Sequence, residues 1–158
     1  MQAYERYGRA LLRKAERIVG NREDARDIVQ ALFVDLYQRS DVPMDLPYLY
    51  RAVTNRCLTF VRDETNRARL LERHDAALGP SPRTACDDRA IGLDLLVKLL
   101  RELDAAEGEV LAYRYLDDMT QDEIATMLGL SRKTIGKRLD RIREAVRKVA
   151  GAGPGGEP

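Results

Sequence analysis

The chain has 158 residues, which is enough for one medium-sized domain or two small ones. Its 27 basic residues are nearly matched by 26 acidic residues, and the net charge of +1 gives by itself no sign of a nucleic-acid-binding protein. The lack of a long apolar run and of a signal-peptide pattern leads us to expect a cytoplasmic protein without membrane insertion. Cys57 and Cys86 form no CxxC pair and lie far apart in sequence, so we expect no metal site. The surroundings of Cys57 resemble a helix face, and we expect a reduced, packed thiol there.

Apolar residues recur at helical spacing along most of the chain, which predicts an all-α protein. We expect the first helix to end near Gly20, and Asn21 to cap a second helix that runs to about Gln38. The predicted inner faces are Tyr4, Tyr7, Leu11, Ala15 and Ile18 in the first helix, and Ala25, Ile28, Val29, Leu32, Phe33 and Leu36 in the second.

A third helix is predicted from Pro47 towards Leu71. Its buried face consists of Leu49, Val53, Cys57, Phe60 and Val61, and its opposite stripe consists of Tyr48, Arg51, Asn55 and Arg62. Aromatic, guanidinium and amide groups along one stripe suit stacking on bases and hydrogen bonding to phosphates, especially in single strands. The alternatives are that Tyr48 belongs to the rim of the core and that the arginines form a solvated face.

The balanced total charge hides a segregation of charge in the N-terminal half. The second helix and its flanks are mainly acidic, with Glu23, Asp24, Asp27, Asp35, Asp41 and Asp45. The third helix is mainly basic, with Arg51, Arg56, Arg62, Arg67, Arg69 and Arg73. Segregated charge steers a polyanion to the basic surface and leaves the acidic surface for a protein partner.

Helical spacing lapses between about Arg73 and Asp88, where Gly79, Pro80, Ser81 and Pro82 stand together. We interpret this stretch as a flexible linker. The predicted organisation is a helical domain at 1–73, a linker at 74–89, a second helical domain at 90–150 and a disordered tail at 151–158. The second domain is expected to begin with helices near Ala90–Leu103 and Ala106–Leu116.

The stretch from Thr120 to Ala150 has the pattern of a helix-turn-helix. Thr120 and Glu123 form a predicted capping box, Gly129 suits a helix end, and Ser131 suits the start of the next helix. That helix has an apolar stripe of Ile135, Leu139, Ile142, Val146 and Val149, while residues 131–150 carry a net charge of +6, from 8 basic and 2 acidic residues. We predict a recognition helix for the major groove of DNA. A solvated helix of an arginine-rich protein is the alternative.

Three stretches, in order, carry a resemblance to one family. They are YGRALLRKAERIVGNREDARDIVQALFVDLYQR, then LPYLYRAVTNRCLTFVR, then LLRELDAAEGEVLAYRYLDDMTQDEIATMLGLSRKTIGKRLDRIREAVRK. Within the first, DARDIVQALF is similar to the DAED-x-VQE-x-F motif of extracytoplasmic-function (ECF) sigma factors of bacterial RNA polymerase. The second resembles their WLYRIAxNxxxDxxR segment, and the third resembles their fourth region. The matches cover nearly everything except the linker and the tail.

The resemblance implies an initiation factor that binds core RNA polymerase and promoter DNA, needs no cofactor and is controlled by an anti-sigma factor. It implies that Asp24, Asp27, Gln30 and Phe33 lie at or support a contact with the β′ coiled coil, and that the fourth region contacts the β flap. In the −10 element, Asn55 would bind an extruded base while Arg51 and Arg62 hold the strand beside Tyr48. The implied −35 contacts are Arg132, Lys133, Gly136, Lys137, Asp140 and Arg141.

The chain departs from the family pattern at several positions. Ala31 stands where the family usually has Glu, and Tyr48 replaces the usual Trp. The loop at 40–46 is shorter than usual, and in this family that loop builds the base pocket. Gly136 and Asp140 stand where basic or aromatic side chains are commoner, although Asp140 could accept a hydrogen bond from cytosine.

Three other classes of protein match parts of the chain. A plain helix-turn-helix regulator would bind duplex DNA without polymerase, and a sigma-like decoy would bind polymerase without starting transcription. An all-α nucleotide pyrophosphohydrolase would need a second acidic motif beside Glu23, Asp24 and Asp27. His74 has no nucleophile or base partner in the sequence, so we predict no catalytic activity.

Overall fold

The structure, a computed structural model, describes residues 2–74 and 88–151. The helices are α1 (Gln2–Val19), α2 (Arg22–Gln38), α3 (Leu46–His74), α4 (Asp88–Glu102), α5 (Ala105–Leu111), α6 (Gln121–Leu128) and α7 (Arg132–Gly151). All regular structure within these residues is helical, which confirms the all-α prediction. Most of the predicted linker and tail falls on residues 75–87 and 152–158, outside the described part, so the domain boundaries stay predictions.

The first three helices form an N-terminal unit in which α1 packs on both α2 and α3. Each helix contributes most of its predicted apolar stripe to a common core. Nearly inaccessible side chains are Leu11, Ala15 and Ile18 of α1, Ala25, Val29, Leu32, Phe33 and Leu36 of α2, and Leu49, Val53, Cys57, Leu58 and Val61 of α3. Burying one leucine or isoleucine side chain contributes about 1.5–3 kcal/mol, so these stripes hold the unit together.

A few residues differ from the predicted inner faces. Tyr4 is 45% exposed, because it packs edge-on against Phe33 at the rim of the core, with 5.1 Å between ring centroids. Tyr7, Ile28 and Phe60 are only partly buried. Thr54 is fully buried although we did not predict it, and its hydroxyl is satisfied by donating to the Tyr50 carbonyl at 2.8 Å.

Local signals set the helix boundaries of this unit. Gly20 has a φ of +76°, which favours glycine and ends α1. The Asn21 side chain accepts from the backbone N–H groups of Glu23 (2.8 Å) and Asp24 (3.2 Å), which confirms the predicted cap of α2. The α3 helix begins at Leu46, just before the predicted Pro47, because Asp45 accepts from the Tyr48 N–H at 3.0 Å.

The remaining helices form a C-terminal unit around Leu99, Leu100, Val110, Ile124 and Ile135. The predicted helix Ala106–Leu116 is divided: α5 is followed directly by a π-helical segment, Ala112–Leu116. A capping box at Asp104 and Glu107 begins α5, with bonds of 2.8 and 3.0 Å. The wider π-helical turn ends where the Asp117 N–H donates to the Ala112 carbonyl at 3.2 Å.

The predicted helix-turn-helix is confirmed in α6 and α7. The Thr120 and Glu123 capping box begins α6, with bonds of 2.7 and 3.2 Å, and Gly129 ends it with a φ of +64°. The Ser131 hydroxyl accepts from the Thr134 N–H at 3.1 Å at the start of α7. The buried residues of α7 are Ile135, Leu139, Ile142 and Ala145, while Val146 and Val149 are partly buried.

The two units lie against each other in this structure. The α4 and α5 helices pack on α3, and the π-helical segment packs on α1. Among the described helices, none is both long and apolar enough to span a lipid bilayer.

Candidate nucleic-acid interface

The stripe predicted for single-stranded DNA lies along α3. Asn55 is exposed and Tyr48 is partly buried against the core, as an aromatic at the rim of the N-terminal unit. The two arginines of the stripe, Arg51 and Arg62, both turn towards the C-terminal unit. The structure thus leaves Asn55 open, while Arg51 and Arg62 on either side of it contact the C-terminal unit.

Arg51 forms an ion pair with Glu109 of α5. Its Nε donates to Glu109 Oε1 at 2.8 Å, and the Tyr113 hydroxyl donates to the same oxygen at 2.9 Å. The Glu109 side chain is 6% exposed, whereas Arg51 is 50% exposed, so the carboxylate is buried and the guanidinium lies at the edge. The hydrogen bond to Glu109 raises the pKa of Arg51 above its usual range. Burial, with the nearby Glu109 carboxylate, raises the pKa of Tyr113 and keeps its hydroxyl protonated.

Arg62 also contacts the C-terminal unit, at the start of α5. Its Nη2 donates to the Asp104 backbone carbonyl at 3.1 Å. A Cβ atom at Gly108 would lie 2.8 Å from Nη2 of Arg62, so the glycine gives the guanidinium room to pass. Arg62 is therefore seated between α3 and α5 rather than turned to solvent.

A buried ion pair joins α1 to the segment after the π-helical turn. Lys14 pairs with Asp117, and the two side chains are only 3% and 4% exposed. The Lys14 ammonium also lies 3.9 Å from the ring centroid of Tyr50 and 5.1 Å from that of Tyr113. These two rings stack across the interface, with 6.2 Å between centroids and 16° between planes. Burial lowers the pKa of Lys14, partly offset by the hydrogen bond to Asp117.

The predicted recognition helix presents its basic face to solvent. Arg132, Lys133, Lys137, Asp140 and Arg141 are exposed, while Gly136 is partly covered by the Gln121 side chain. Gln121 donates to the Arg132 carbonyl at 2.8 Å and so ties α6 to the start of α7. Asp140 pairs with Arg143 at 2.7 Å, and Arg141 contacts Glu107 at 3.3 Å. Arg132 also pairs with Asp122 at 3.5 Å, so three of the predicted contact residues are paired with neighbouring side chains.

The acidic surface predicted for a protein partner lies on α2. Asp27 and Gln30 are exposed and Asp24 is partly exposed. Phe33 is 4% exposed and packs in the core, so it cannot contact a partner directly and could act only by supporting the helix. Arg56 of α3 pairs with Asp35 and holds the pKa of that carboxyl below its usual range, which ties α2 to α3.

Comparison with known proteins decides the family. The model for sigma-70 region 2 matches residues 3–67, and the model for sigma-70 region 4 matches residues 93–146. The RNA polymerase sigma-E factor of Streptomyces avermitilis is 34% identical over 145 residues, covering 85% of this chain and 78% of the relative. The chain is an ECF sigma factor. The sigma-E factor of Streptomyces coelicolor is also similar, at 31% identity over 140 residues with 85% and 78% coverage.

This sigma factor also resembles a solved structure. The co-crystal structure of the sigma factor RpoE with the anti-sigma factor NepR from Bartonella quintana matches with 20% identity, 97% coverage of both chains and a TM-score of 0.49. Region 2 corresponds to α1–α3, and region 4 corresponds to most of α4 together with α5–α7. As a member of this family, the protein directs transcription initiation with RNA polymerase at promoters.

Sequence reasoning missed several surface residues of the sigma factor. Val34 and Tyr37 are 55% and 57% exposed, and helical spacing sets them on the same side of α2 as Asp27 and Gln30. Val34 and Tyr37 fall outside the stripe that contains the buried Ala25 and Val29, so helical spacing alone could have predicted their exposure. Glu109 and Asp117 had no such signal, because their partners are more than fifty residues away in sequence.

Proposed function

We propose that this sigma factor opens the −10 element with α3, reads the duplex −35 element with α7 and contacts the polymerase mainly through α2. The observation that supports this division is the ordered match of region 2 and region 4, each with a polar or basic face on the matching helix. The covalent chemistry belongs to the polymerase, so we expect no catalytic activity and no cofactor in the sigma factor itself.

The proposed polymerase contact is the outer face of α2, which binds the β′ coiled coil. Asp24, Asp27 and Gln30 supply its polar groups, and the exposed Val34 and Tyr37 extend it with apolar surface. Phe33 holds this face in position from the core. An apolar centre with a polar rim is the usual composition of a specific protein interface. The first helices of region 4 are proposed to contact the β flap.

The proposed −10 surface is the polar stripe of α3. Extruding a base costs a few kcal/mol of lost stacking, and stacking on an aromatic ring returns about 1–3 kcal/mol. Tyr48 offers such a ring and Asn55 offers an amide for the edge of the base, while Arg51 and Arg62 hold the phosphates. Side chains of these types can therefore offset the cost of opening.

The proposed −35 surface is the exposed face of α7. Its arginines and lysines suit guanine edges and phosphates in the major groove, where a helix fits. The proposed contacts are Arg132, Lys133, Gly136, Lys137, Asp140 and Arg141. Gly136 would let the helix backbone approach the DNA closely, although the Gln121 side chain must then move aside. We also propose that the factor acts in the cytoplasm and that an anti-sigma protein covers these surfaces.

The function is tested by co-elution with purified core polymerase, followed by transcription from a fragment library of the source genome. We expect co-elution and discrete start sites with a shared promoter motif. Binding without transcripts would indicate a decoy. Duplex DNA binding without polymerase binding would indicate a plain helix-turn-helix regulator, and either outcome would contradict the proposal.

A further inference from the structure

An open cleft of about 270 Å³ lies between the second half of α3 and the facing side of α4. Its apolar lining includes Val61 of α3 and Leu100 of α4, which are 7% and 3% exposed. Three arginines also line it. Arg62 and Arg69 stand about two helical turns apart on one face of α3, and Arg101 lies on α4. The cleft therefore combines an apolar lining with three guanidinium groups.

The three arginines of the cleft differ from two neighbouring cations on the same helices. Arg67 of α3 pairs with Glu64 at 3.2 Å, and Lys98 of α4 pairs with Asp94 at 2.7 Å. Among the side chains that the structure describes, no carboxylate lines the cleft or pairs with any of its three arginines. Within the described part of the chain, their positive charges are therefore not balanced by acidic side chains.

Charge of one sign in a cleft attracts a ligand of the opposite sign. Low-dielectric walls focus the field of such charges, which raises the local concentration of counter-ions. Guanidinium groups bind phosphate through two parallel N–H···O bonds, a geometry that an ammonium group cannot match. Arg62 donates to the neutral Asp104 carbonyl at 3.1 Å and so retains its full charge. Phosphate is therefore the anion that this set of donors suits best.

The size and the apolar lining of the cleft restrict the rest of the ligand. Sites for drug-sized molecules usually enclose about 300–1,000 Å³, so a cleft of about 270 Å³ suits a molecule no larger than a small nucleotide. Val61, Val97 and Leu100 can pack against a sugar or a base. An inorganic ion would leave this apolar surface uncovered, so a phosphorylated organic molecule is the better match.

We propose that the cleft between α3 and α4 binds a nucleoside diphosphate or a phosphorylated metabolite of similar size. Its phosphates lie at Arg69 and Arg101, and its organic part lies on the apolar lining. Arg62 adds positive charge at the end of the cleft that faces α5. This binding goes beyond promoter recognition, because neither Arg69 nor Arg101 belongs to the proposed −10, −35 or polymerase contacts.

Isothermal titration calorimetry of the full chain, without polymerase or DNA, tests the proposal with pyrophosphate, ADP and adenosine as probes. The cleft variant carries Arg69→Gln and Arg101→Gln, which remove two charges. The control variant carries Arg67→Gln and Lys98→Gln, which remove two charges from the same helices outside the cleft. All four side chains are exposed, so both variants should fold, and circular dichroism checks that they do.

We expect ADP to bind the wild type with a Kd of about 1 mM or lower, more tightly than pyrophosphate does, and adenosine to bind most weakly. The affinity for ADP should fall about ten-fold or more in the cleft variant, because two charge-assisted partners of the phosphates are lost. The control variant should stay within about two-fold of the wild type, because exposed charges at a distance are screened by salt.

Equal losses in the cleft and control variants would show a general attraction of anions to basic helices and would overturn the proposal. An absence of saturable binding by both ADP and pyrophosphate would also overturn it. A labelled single strand of DNA, measured by fluorescence anisotropy, provides the third comparison. If the cleft variant loses affinity for the strand but not for ADP, these arginines bind nucleic acid and the proposal is wrong. None of the substituted residues is a proposed promoter contact, so the result is independent of the proposed function.

Discussion

Asn55 is an exposed residue of the α3 stripe. Neighbouring Arg51 and Arg62 both contact α5, whereas Asn55 lies on the open part of the stripe. An exposed amide contributes nothing to the core, so its role can be tested without loss of stability. Asn55 is therefore the cleanest single position at which to test the −10 assignment.

We expect Asn55→Ala to bind core polymerase normally and to form fewer open complexes. Losing the hydrogen bonds of one polar side chain costs about 1–2 kcal/mol, which is roughly a 5- to 30-fold change. Permanganate reactivity of thymines across the −10 element measures the change. Asn66→Ala, an exposed asparagine further along α3, is the control. Unchanged reactivity in Asn55→Ala would contradict the base-pocket assignment.

Cys57 shows how burial fixes the chemistry of one residue. Its side chain is inaccessible, and burial raises the pKa of the thiol to about 12. The thiol is therefore protonated at neutral pH, and the nucleophilic thiolate is scarce. Cys57 belongs to the core of region 2, as the sequence predicted.

The α7 helix combines a buried stripe with an exposed basic face, and α6 fixes its start. The capping box of α6, worth about 1 kcal/mol, and the left-handed Gly129 set the angle between the two helices. The Thr120 backbone N–H donates to the Glu123 carboxylate at 2.7 Å, and this bond lowers the pKa of the Glu123 carboxyl, which strengthens the cap near neutral pH. The proposed recognition helix is thus positioned by contacts within α6, the turn and its own first residues.

We expect Arg141→Ala to weaken binding to duplex DNA that carries the −35 element found in the transcription experiment. A base contact contributes about 1–3 kcal/mol of discrimination, so affinity for that duplex should fall more than affinity for a scrambled one. Fluorescence anisotropy measures both. Arg147→Ala removes the same charge further along α7 and should lower both affinities alike. Equal losses in Arg141→Ala would mean that Arg141 contacts phosphate only.

Across the whole molecule, buried hydroxyl and thiol groups couple stability to alkaline pH. Burial raises the pKa values of Tyr50 and Tyr113, and raises that of Cys57 to about 12. Each group keeps its proton in the folded protein at a pH where the unfolded chain has lost it. Their stabilisation is therefore complete below the unfolded pKa values, near 9 for Cys and 10 for Tyr, and is lost as the pH rises through the folded values.

We expect Tyr50→Phe to lose stability less steeply than the wild type above pH 10. While one proton separates the folded and unfolded states, the free energy of unfolding falls by up to about 1.4 kcal/mol per pH unit, and the variant lacks this contribution from Tyr50. Burial lowers the pKa of Lys14, which acts with the opposite sign, but Lys14 is present in both proteins. Urea unfolding at several alkaline pH values measures the slopes. Parallel slopes would show that Tyr50 titrates alike in both states.

The sequence alone determined the helices, most of the core and the family. Those features depend on neighbours within a turn or two: the apolar spacing of α1–α3, the Asn21 cap, the Thr120 capping box and the Gly129 turn. The three ordered stretches carried the resemblance to ECF sigma factors, which the relatives confirm. The basic face of α7 followed from the same local spacing.

Only the tertiary structure decided which charged groups meet. In the sequence, Lys14 looks like a surface residue of α1, and Glu109 and Asp117 look like ordinary acidic residues of region 4. In the structure, Lys14 pairs with Asp117 and Arg51 pairs with Glu109, and both ion pairs join the two units. A long-range ion pair cannot be predicted from sequence periodicity, because each partner alone looks like an ordinary solvated charge. The apolar spacing of α2 predicted the burial of Phe33, but it did not reveal the edge-on contact with Tyr4, since that contact depends on how α1 crosses α2.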